Sequence, residues 1–292
     1  MPYSKITSKS KDLSIQELKK LIGSILSSVD YGSIYCRNQT FSGLYRARQH
    51  EQIDGESDKY TFTNEKEFWN PPECVIKKIG RCNNIEESMF YCSNQFETAI
   101  VEVRPQANKF ITIANFLPHK RDNQLPSFRI KPNCIQHLKK IKGFKSCIAD
   151  YNLSERNSEF IKVDNLLDDL FTEIVQEDEA HKYKITNAIT QCMLHTKLVN
   201  ENGDQYSMNG MIYPSIADNL QSINILMKPI YVINHYYINC LQTFKVLEVT
   251  KKNIKVQLVR NGSLKGKKEH PSEQLDIFWH PKFDGPIENI KF

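Results

Sequence analysis

A strand followed directly by a helix is predicted for Phe90-Tyr91-Cys92-Ser93-Asn94-Gln95-Phe96-Glu97-Thr98-Ala99-Ile100-Val101-Glu102-Val103-Arg104. Residues 88–92 form a short apolar run of strand length. Ser93 and Asn94 are residue types that cap helices, and Glu97 stands where it would complete a capping box with Asn94. The helix is predicted to continue to about Val103.

Upstream of this segment, Ser14-Ile15-Gln16-Glu17 has the form of a capping box. The apolar residues that follow keep to one helical face: Ile15, Leu18, Leu21, Ile22, Ile25, Leu26 and Val29. This pattern predicts an amphipathic helix over residues 14–29 that packs against the core.

The remaining segments mix strand and helix signals. Strands are predicted at 41–48, 109–114, 210–214, 223–228 and 230–238, and residues 164–198 have helical periodicity. Two alternating segments, Leu241–Val249 and Ile254–Val259, flank a polar turn and predict a hairpin. The sequence therefore predicts an α+β domain with a small C-terminal β addition.

Composition and charge exclude several classes of protein. Hydrophobic residues are 40% and charged residues 25% of the chain, as in ordinary globular proteins. No run approaches the roughly 18 apolar residues of a membrane-spanning helix. The N-terminal residues lack the apolar core of a secretory signal, so we expect a cytoplasmic protein with no membrane partner. The net charge of +5 (39 − 34) is mild for a dedicated nucleic-acid binder.

The eight cysteines show no Cys-x-x-Cys spacing. We interpret them as reduced, mostly buried thiols. A zinc site built from Cys74, Cys82 and Cys92 has the wrong spacing for a ribbon or finger, so no metal is expected.

Ionisable residues embedded in apolar segments are the candidates for chemistry. Arg46 lies in a predicted strand, and Glu102 lies in the otherwise apolar stretch Ala99–Val103. A buried carboxylate needs a positive partner or hydrogen bonds. One interpretation of Arg46 and Glu102 is therefore a structural buried ion pair, and the other is a functional site.

The order of several short motifs resembles the RES-domain family, named for an arginine, a glutamate and a serine. These motifs are Tyr45-Arg46-Ala47-Arg48, Phe68-Trp69-Asn70-Pro71-Pro72, Gly80-Arg81-Cys82-Asn83, the segment Phe90–Arg104 quoted above, and Gly210-Met211-Ile212-Tyr213-Pro214-Ser215. The resemblance spans roughly residues 41–235. The segment Tyr91–Glu102 and the Tyr-Pro-Ser element, in this order, are its more specific parts.

The resemblance implies a fold similar to that of ADP-ribosyltransferases, with a mixed β core and flanking helices. It also implies an enzyme that consumes NAD⁺ by cleaving the nicotinamide–ribose bond, with water or phosphate as acceptor. The implied site residues are Arg46, Arg81, Tyr91, Glu102 and Ser215.

Each implied role agrees with the chemistry of its residue. Glu102 would stabilise oxocarbenium charge on the ribose, and Arg46 and Arg81 would bind the diphosphate through forked contacts. Tyr91 would stack on nicotinamide, and Ser215 would position a ribose or phosphate. The alternatives are a core aromatic for Tyr91 and a turn or cap serine for Ser215. Arg48 and Arg104 are expected at the surface, with lining of the phosphate path as the alternative.

The resemblance also implies a toxin of a bacterial toxin–antitoxin pair. The chain is expected to differ from the small toxins of the family by a long insertion and a C-terminal extension. We expect an N-terminal helix within 1–30, a RES-like catalytic domain over 31–239 with a helical insertion at about 117–205, and a β hairpin and tail over 240–292. In the family the partner is an antitoxin. An antitoxin or immunity protein, a macromolecular acceptor of ADP-ribose and a homodimer all remain open for this chain.

Three other functions compete with NAD⁺ hydrolysis or phosphorolysis. One is an ADP-ribosyltransferase that modifies a protein or nucleic acid through the same site. Another is a non-catalytic binding module, which the intact Arg46, Glu102 and Ser215 argue against. The third is nucleic-acid binding through the basic C-terminal lysines, with Phe278 and Trp279 as stacking groups. For these lysines a solvated hairpin edge is the preferred interpretation.

Overall fold

The computed structural model describes residues 10–29, 31, 36–39, 41–50, 62–119, 128–141, 158–195, 197–199, 203, 205–266 and 273–292. The strands within these ranges are β1 (Cys36–Gln39), β2 (Leu44–Gln49), β3 (Phe90–Ser93), β4 (Phe110–Pro118), β5 (Phe128–Pro132), β6 (Lys197–Val199), β7 (Gln205–Ser207), β8 (Gly210–Pro214), β9 (Ile223–Met227), β10 (Tyr236–Val249), β11 (Asn253–Leu264), β12 (Ile277–Trp279) and β13 (Ile287–Lys291). The α-helices are α1 (Ile15–Ser28), α2 (Phe96–Glu102), α3 (Ile135–Leu138), α4 (Ser158–Thr172), α5 (Tyr183–His195) and α6 (Pro229–His235).

Eleven of these strands form one sheet in the order β1-β5-β8-β9-β3-β2-β4-β10-β11-β12, with β13 also paired to β11. All neighbours are antiparallel except β5 and β8, which are parallel. Strands β6 and β7 form a separate hairpin. Helices and antiparallel sheet together confirm the predicted α+β class. No helix in the described ranges has both the length and the hydropathy to cross a membrane.

The N-terminal helix follows the sequence pattern closely. The Ser14 hydroxyl accepts a hydrogen bond from the backbone amide of Glu17, and the Glu17 carboxylate accepts from the backbone amide of Ser14, so the predicted capping box is confirmed. Leu18, Ile22 and Leu26 are buried. Helix α1 packs against α5, which is the core-facing role that its periodicity predicts.

The β3–α2 segment has the predicted order, but its capping differs. The strand continues to Ser93, which pairs with Asn224 of β9, so the helix begins later and its N-cap is Gln95. The expected capping box of Asn94 and Glu97 is therefore wrong. The Ser93 hydroxyl instead accepts a hydrogen bond from the amide of Gln95.

The segment predicted as a strand at 230–238 is mostly helical, which is a second correction. Pro229 stands in the first turn of α6, where its missing N–H costs nothing, and strand β10 begins only at Tyr236. The hairpin prediction is confirmed, because β10 and β11 pair around the Thr250–Asn253 turn.

One predicted domain boundary, at 239/240, falls within a continuous strand. Strand β10 pairs with β4 on one side and β11 on the other, and the proposed boundary at 239/240 falls inside it. The C-terminal strands therefore extend the main sheet. The segment at about 117–205, expected to be a helical insertion, also contains strand β5, which lies between β1 and β8 in that sheet.

Around β2, the strand register assigns the candidate site residues to one or the other face of the sheet. Residues directly opposite in neighbouring strands share a face, and Tyr45 pairs with Ser93, Ser93 with Asn224, and Asn224 with Tyr213. Helix α2 packs on this face, where the Tyr45 and Phe96 rings meet edge to face at 6.2 Å. Side chains alternate along a strand, so Arg46 points to the opposite face.

Candidate active site

Glu102 is the last residue of α2, and its carboxylate is held on one side only. Its Oε1 accepts hydrogen bonds from Ser215 Oγ at 2.5 Å and from Asn224 Nδ2 at 2.6 Å. Its Oε2 accepts no hydrogen bond from any residue that the structure describes. The carboxylate is thus oriented by two neutral donors while one oxygen stays open to a ligand.

Ser215 follows directly after β8 and is fully buried. Its backbone amide donates to Ser222 O at 2.9 Å, and its carbonyl accepts from Leu220 N at 2.8 Å. Its hydroxyl also accepts from the Asp218 amide at 3.2 Å. The expected turn role of Ser215 and its contact with Glu102 therefore occur together.

Tyr91 lies in the middle of β3, with its side chain on the α2 face of the sheet. Its hydroxyl donates to Asn83 Oδ1 at 2.8 Å. Burial raises the pKa of Tyr91 well above its ordinary value. The ring is thereby fixed as one wall of the cleft beside Glu102.

Arg81 also lines this cleft, but its guanidinium is largely occupied. Its Nη1 donates to Phe171 O at 2.8 Å and Leu170 O at 3.4 Å, and its Nη2 donates to Glu173 O at 3.0 Å. The guanidinium carbon also lies 5.4 Å from the centroid of the Tyr183 ring. These carbonyls are at the C-terminal end of α4, where a cation is favourable. Arg81 therefore anchors the C-terminal end of α4 against the cleft.

The cleft has a volume of about 250 Å³, just below the range of pockets for drug-sized ligands. It joins residues of α2, β3, β8, β9 and α5 with residues of the connecting segments: Arg81, Tyr91, Glu102, Arg104, Ile174, Val175, Tyr183, Tyr213, Pro214, Ile216, Ala217 and Asn224. Of the five residues expected in a site, it brings together Arg81, Tyr91 and Glu102, with Ser215 bonded to Glu102 from beneath.

Sequence analysis did not propose Asn224 or Tyr213 as site residues. Arg104, expected at the surface with the phosphate path as the alternative, is exposed and also lines the cleft. Asn224 reaches Glu102 because β9 lies between β8 and β3, a pairing that no local pattern reveals. Tyr213 is part of the Tyr213-Pro214-Ser215 element, and its place in that element was the one available signal. Arg104 is the last residue of the segment Phe90–Arg104, so its place in that motif was likewise the available signal.

Arg46 is placed away from Glu102. Its Nη1 donates to the carbonyl oxygen of Tyr91 at 2.8 Å, and its guanidinium carbon is 5.6 Å from the centroid of the Phe90 ring. The ion pair between Arg46 and Glu102 that the sequence left open is therefore not formed. Burial is the main cause that lowers the pKa of Arg46 to about 10, and neighbouring Arg48 adds to it.

A second cavity, of about 630 Å³, surrounds Arg46 and Arg48. Trp69, Pro71 and Pro72 form part of its wall. Arg48 donates to the carbonyl of Glu67 at 2.6 Å. Neither arginine forms an ion pair with a described residue, and Nε of Arg46 is buried without a hydrogen-bond partner there.

Two competing interpretations concern residues outside the cleft. In the described ranges no three His, Cys, Asp or Glu side chains are grouped as metal ligands. In the C-terminal region, Trp279 Nε1 donates to Phe62 O at 2.6 Å, so this indole is part of the fold, whereas Phe278 is exposed. Lys267 and Lys268, part of the basic tail, lie outside the described residues.

No curated protein matches the sequence. The family model described as the RES domain matches residues 44–230, a span that contains Arg46, Arg81, Tyr91, Glu102 and Ser215. Since this span is more than half of the chain, the protein belongs to the RES domain family, which is associated with NAD-utilising, toxin-like domains.

Proposed function

We propose that this protein consumes NAD⁺ by cleaving its nicotinamide–ribose bond, as a glycohydrolase or a phosphorylase. The observation that carries the proposal is the Glu102 carboxylate, fixed through Oε1 by Ser215 and Asn224 and open through Oε2. A negative group held in this way suits a reaction in which positive charge develops on a sugar carbon.

In the proposed reaction the bond between the ribose carbon and the nicotinamide nitrogen breaks, and its electron pair leaves with nicotinamide. Departure neutralises the positive ring, and the ribose carbon gains oxocarbenium character. Glu102 stabilises this charge and accepts a hydrogen bond from the neighbouring ribose hydroxyl. An oxygen of water or phosphate then bonds to the carbon. With water the products are ADP-ribose, nicotinamide and a proton.

The residues around Glu102 support an orientation of NAD⁺ in which the nicotinamide lies against Tyr91 and the ribose lies beside Glu102. The Tyr91 ring, held by Asn83, offers a flat surface for nicotinamide beside Glu102. Two neutral donors on Oε1 hold the carboxylate before substrate binds, so less ordering is needed in the transition state.

Incubation of the purified protein with NAD⁺, with and without inorganic phosphate, tests the proposal through its products. ADP-ribose indicates hydrolysis, and ADP-ribose-1″-phosphate indicates phosphorolysis. Label transferred to a protein or nucleic acid would favour the ADP-ribosyltransferase alternative. Unchanged NAD⁺ under all conditions, from protein shown to be folded by thermal melting, would overturn NAD⁺ cleavage.

The toxin-like setting gives a test in cells. We propose that the protein acts in the cytoplasm and that its uncontrolled expression lowers cellular NAD⁺ and arrests growth. The Glu102→Gln variant, expressed to the same level, is the matched control. Rescue by a co-expressed neighbouring gene product would identify an antitoxin or immunity partner.

A further inference from the structure

Arg104 is the second residue after α2, two positions beyond Glu102, and it lines the same cleft. Its backbone amide donates to Val101 O at 3.0 Å, which closes the end of the helix. Glu102 and Arg104 therefore present opposite charges to one cleft from a single helix end.

Arg104 differs from the other arginines near the site in being available. The guanidinium of Arg81 donates hydrogen bonds to three backbone carbonyls, and Arg46 lies on the other face of the sheet. The exposed side chain of Arg104 forms no hydrogen bond and no ion pair with the part of the chain that the structure describes. A guanidinium can bind phosphate oxygens through two parallel hydrogen bonds.

The backbone of Arg104 has an unfavourable conformation for its residue type. Its φ is +47°, in the left-handed region, at the position after the C-cap where helices usually place glycine. A side chain at positive φ costs stability, and such residues persist at sites of function when the surroundings impose them. The unfavourable backbone conformation of Arg104 is therefore consistent with a functional role of this residue at the cleft.

We propose that Arg104 is the oxyanion-binding residue of the Glu102 cleft and holds phosphate oxygens of the reactants. The phosphate belongs either to the diphosphate of NAD⁺ or to inorganic phosphate that acts as acceptor. This inference rests on the proposed function for its reaction, whereas the binding site itself can be tested without turnover. It assigns to Arg104 the role that the motif order implied for Arg46 and Arg81.

The decisive variant is Arg104→Gly, which removes the charge and also relieves the backbone. We expect its Tm to rise by about 2–4 °C, while KM for NAD⁺ or for phosphate increases by about tenfold or more. Arg104→Lys should restore part of the affinity. Asn108→Gly is the matched control, because Asn108 has φ +63° outside the cleft, and it should change Tm alone.

Two probes separate this inference from the proposed function. Titration calorimetry with ADP-ribose and with inorganic pyrophosphate measures oxyanion binding in wild type and in Arg104→Gly, whether or not NAD⁺ is turned over. Loss of binding in the variant supports Arg104 even if wild type leaves NAD⁺ intact. A rise in KM for NAD⁺ identifies the diphosphate as the ligand, and a rise for phosphate identifies the acceptor. Equal binding and equal KM values in both proteins, or no binding of either probe to wild type, would overturn the inference.

Discussion

The hydroxyl of Ser215 lies 2.5 Å from the carboxylate of Glu102, although 113 positions separate the two residues in the sequence. Backbone hydrogen bonds within the turn that begins at Ser215 fix the position of this serine, so its hydroxyl orients the Glu102 carboxylate. Arg46, Glu102 and Ser215, the three residues that the resemblance implies for the arginine, glutamate and serine of the family, are thus not one cluster. Glu102 and Ser215 touch, and Arg46 supports the strand of Tyr91 from the other face.

Ser215→Ala tests whether this contact matters for turnover. The change removes one bond to Glu102 and one to the Asp218 amide, so we expect a loss of about 0.5–1.5 kcal/mol in stability and a lower kcat for NAD⁺. Ser222→Ala is the matched control, because the buried Ser222 hydroxyl at the other end of the turn has no hydrogen-bond partner among the described residues. Equal kcat values for the two variants would contradict a role for Ser215 in the reaction.

Arg81→Lys should act mainly on stability. Lysine keeps the charge but loses the fork that reaches the carbonyls of Phe171 and Glu173, and we expect a loss of about 1.5–3 kcal/mol. Denaturant unfolding measures this directly. If stability is unchanged and KM for NAD⁺ rises instead, Arg81 binds the diphosphate as the motif order implies.

Some local features of the chain were predictable from short patterns, whereas the expected capping box of Asn94 and Glu97 was not formed. The α1 capping box and the β10–β11 hairpin depend on residues within a few positions of one another, and both form as expected. The helix at 229–235 was missed because its apolar run also suits a strand. Tertiary packing decides between the two, with Tyr231 and Val232 buried.

The candidate site was only partly predictable for a different reason. Motif order pointed to Glu102, Tyr91 and Ser215, but the position of Asn224 depends on the order of β8, β9 and β3 in the sheet. The face on which Arg46 lies depends on the register of Tyr45 with Ser93. Both are non-local pairings, and a shift of one residue would reverse every side chain along the strand.

Arg46→Met tests why a partly buried arginine is kept. Burial places the pKa of Arg46 in the folded protein near 10, below the ordinary 12.5, so the charged form costs stability at every pH below about 10. An apolar side chain of similar length removes this cost, and we expect a Tm at pH 7 equal to or above that of wild type. We expect NAD⁺ consumption to fall, because the bond from Arg46 to Tyr91 O is lost. A clearly lower Tm with unchanged kinetics would show that Arg46 is purely structural.

Glu102→Gln separates a catalytic carboxylate from a structural one. Ser215 and Asn224 are both donors, and the oxygen of a glutamine amide can accept from both, so the local structure should persist. Since Glu102 has no ion pair with a described residue, loss of its charge leaves no cation uncompensated there, and Tm should be nearly unchanged. Turnover should fall by about 10²-fold, equivalent to about 2.7 kcal/mol of barrier, with NAD⁺ binding retained.

Glu97→Gln, an exposed change in the first turn of the same helix, controls for the loss of one negative charge and should keep the wild-type rate. A folded Glu102→Gln protein that binds NAD⁺ and turns it over at the wild-type rate would refute the catalytic role.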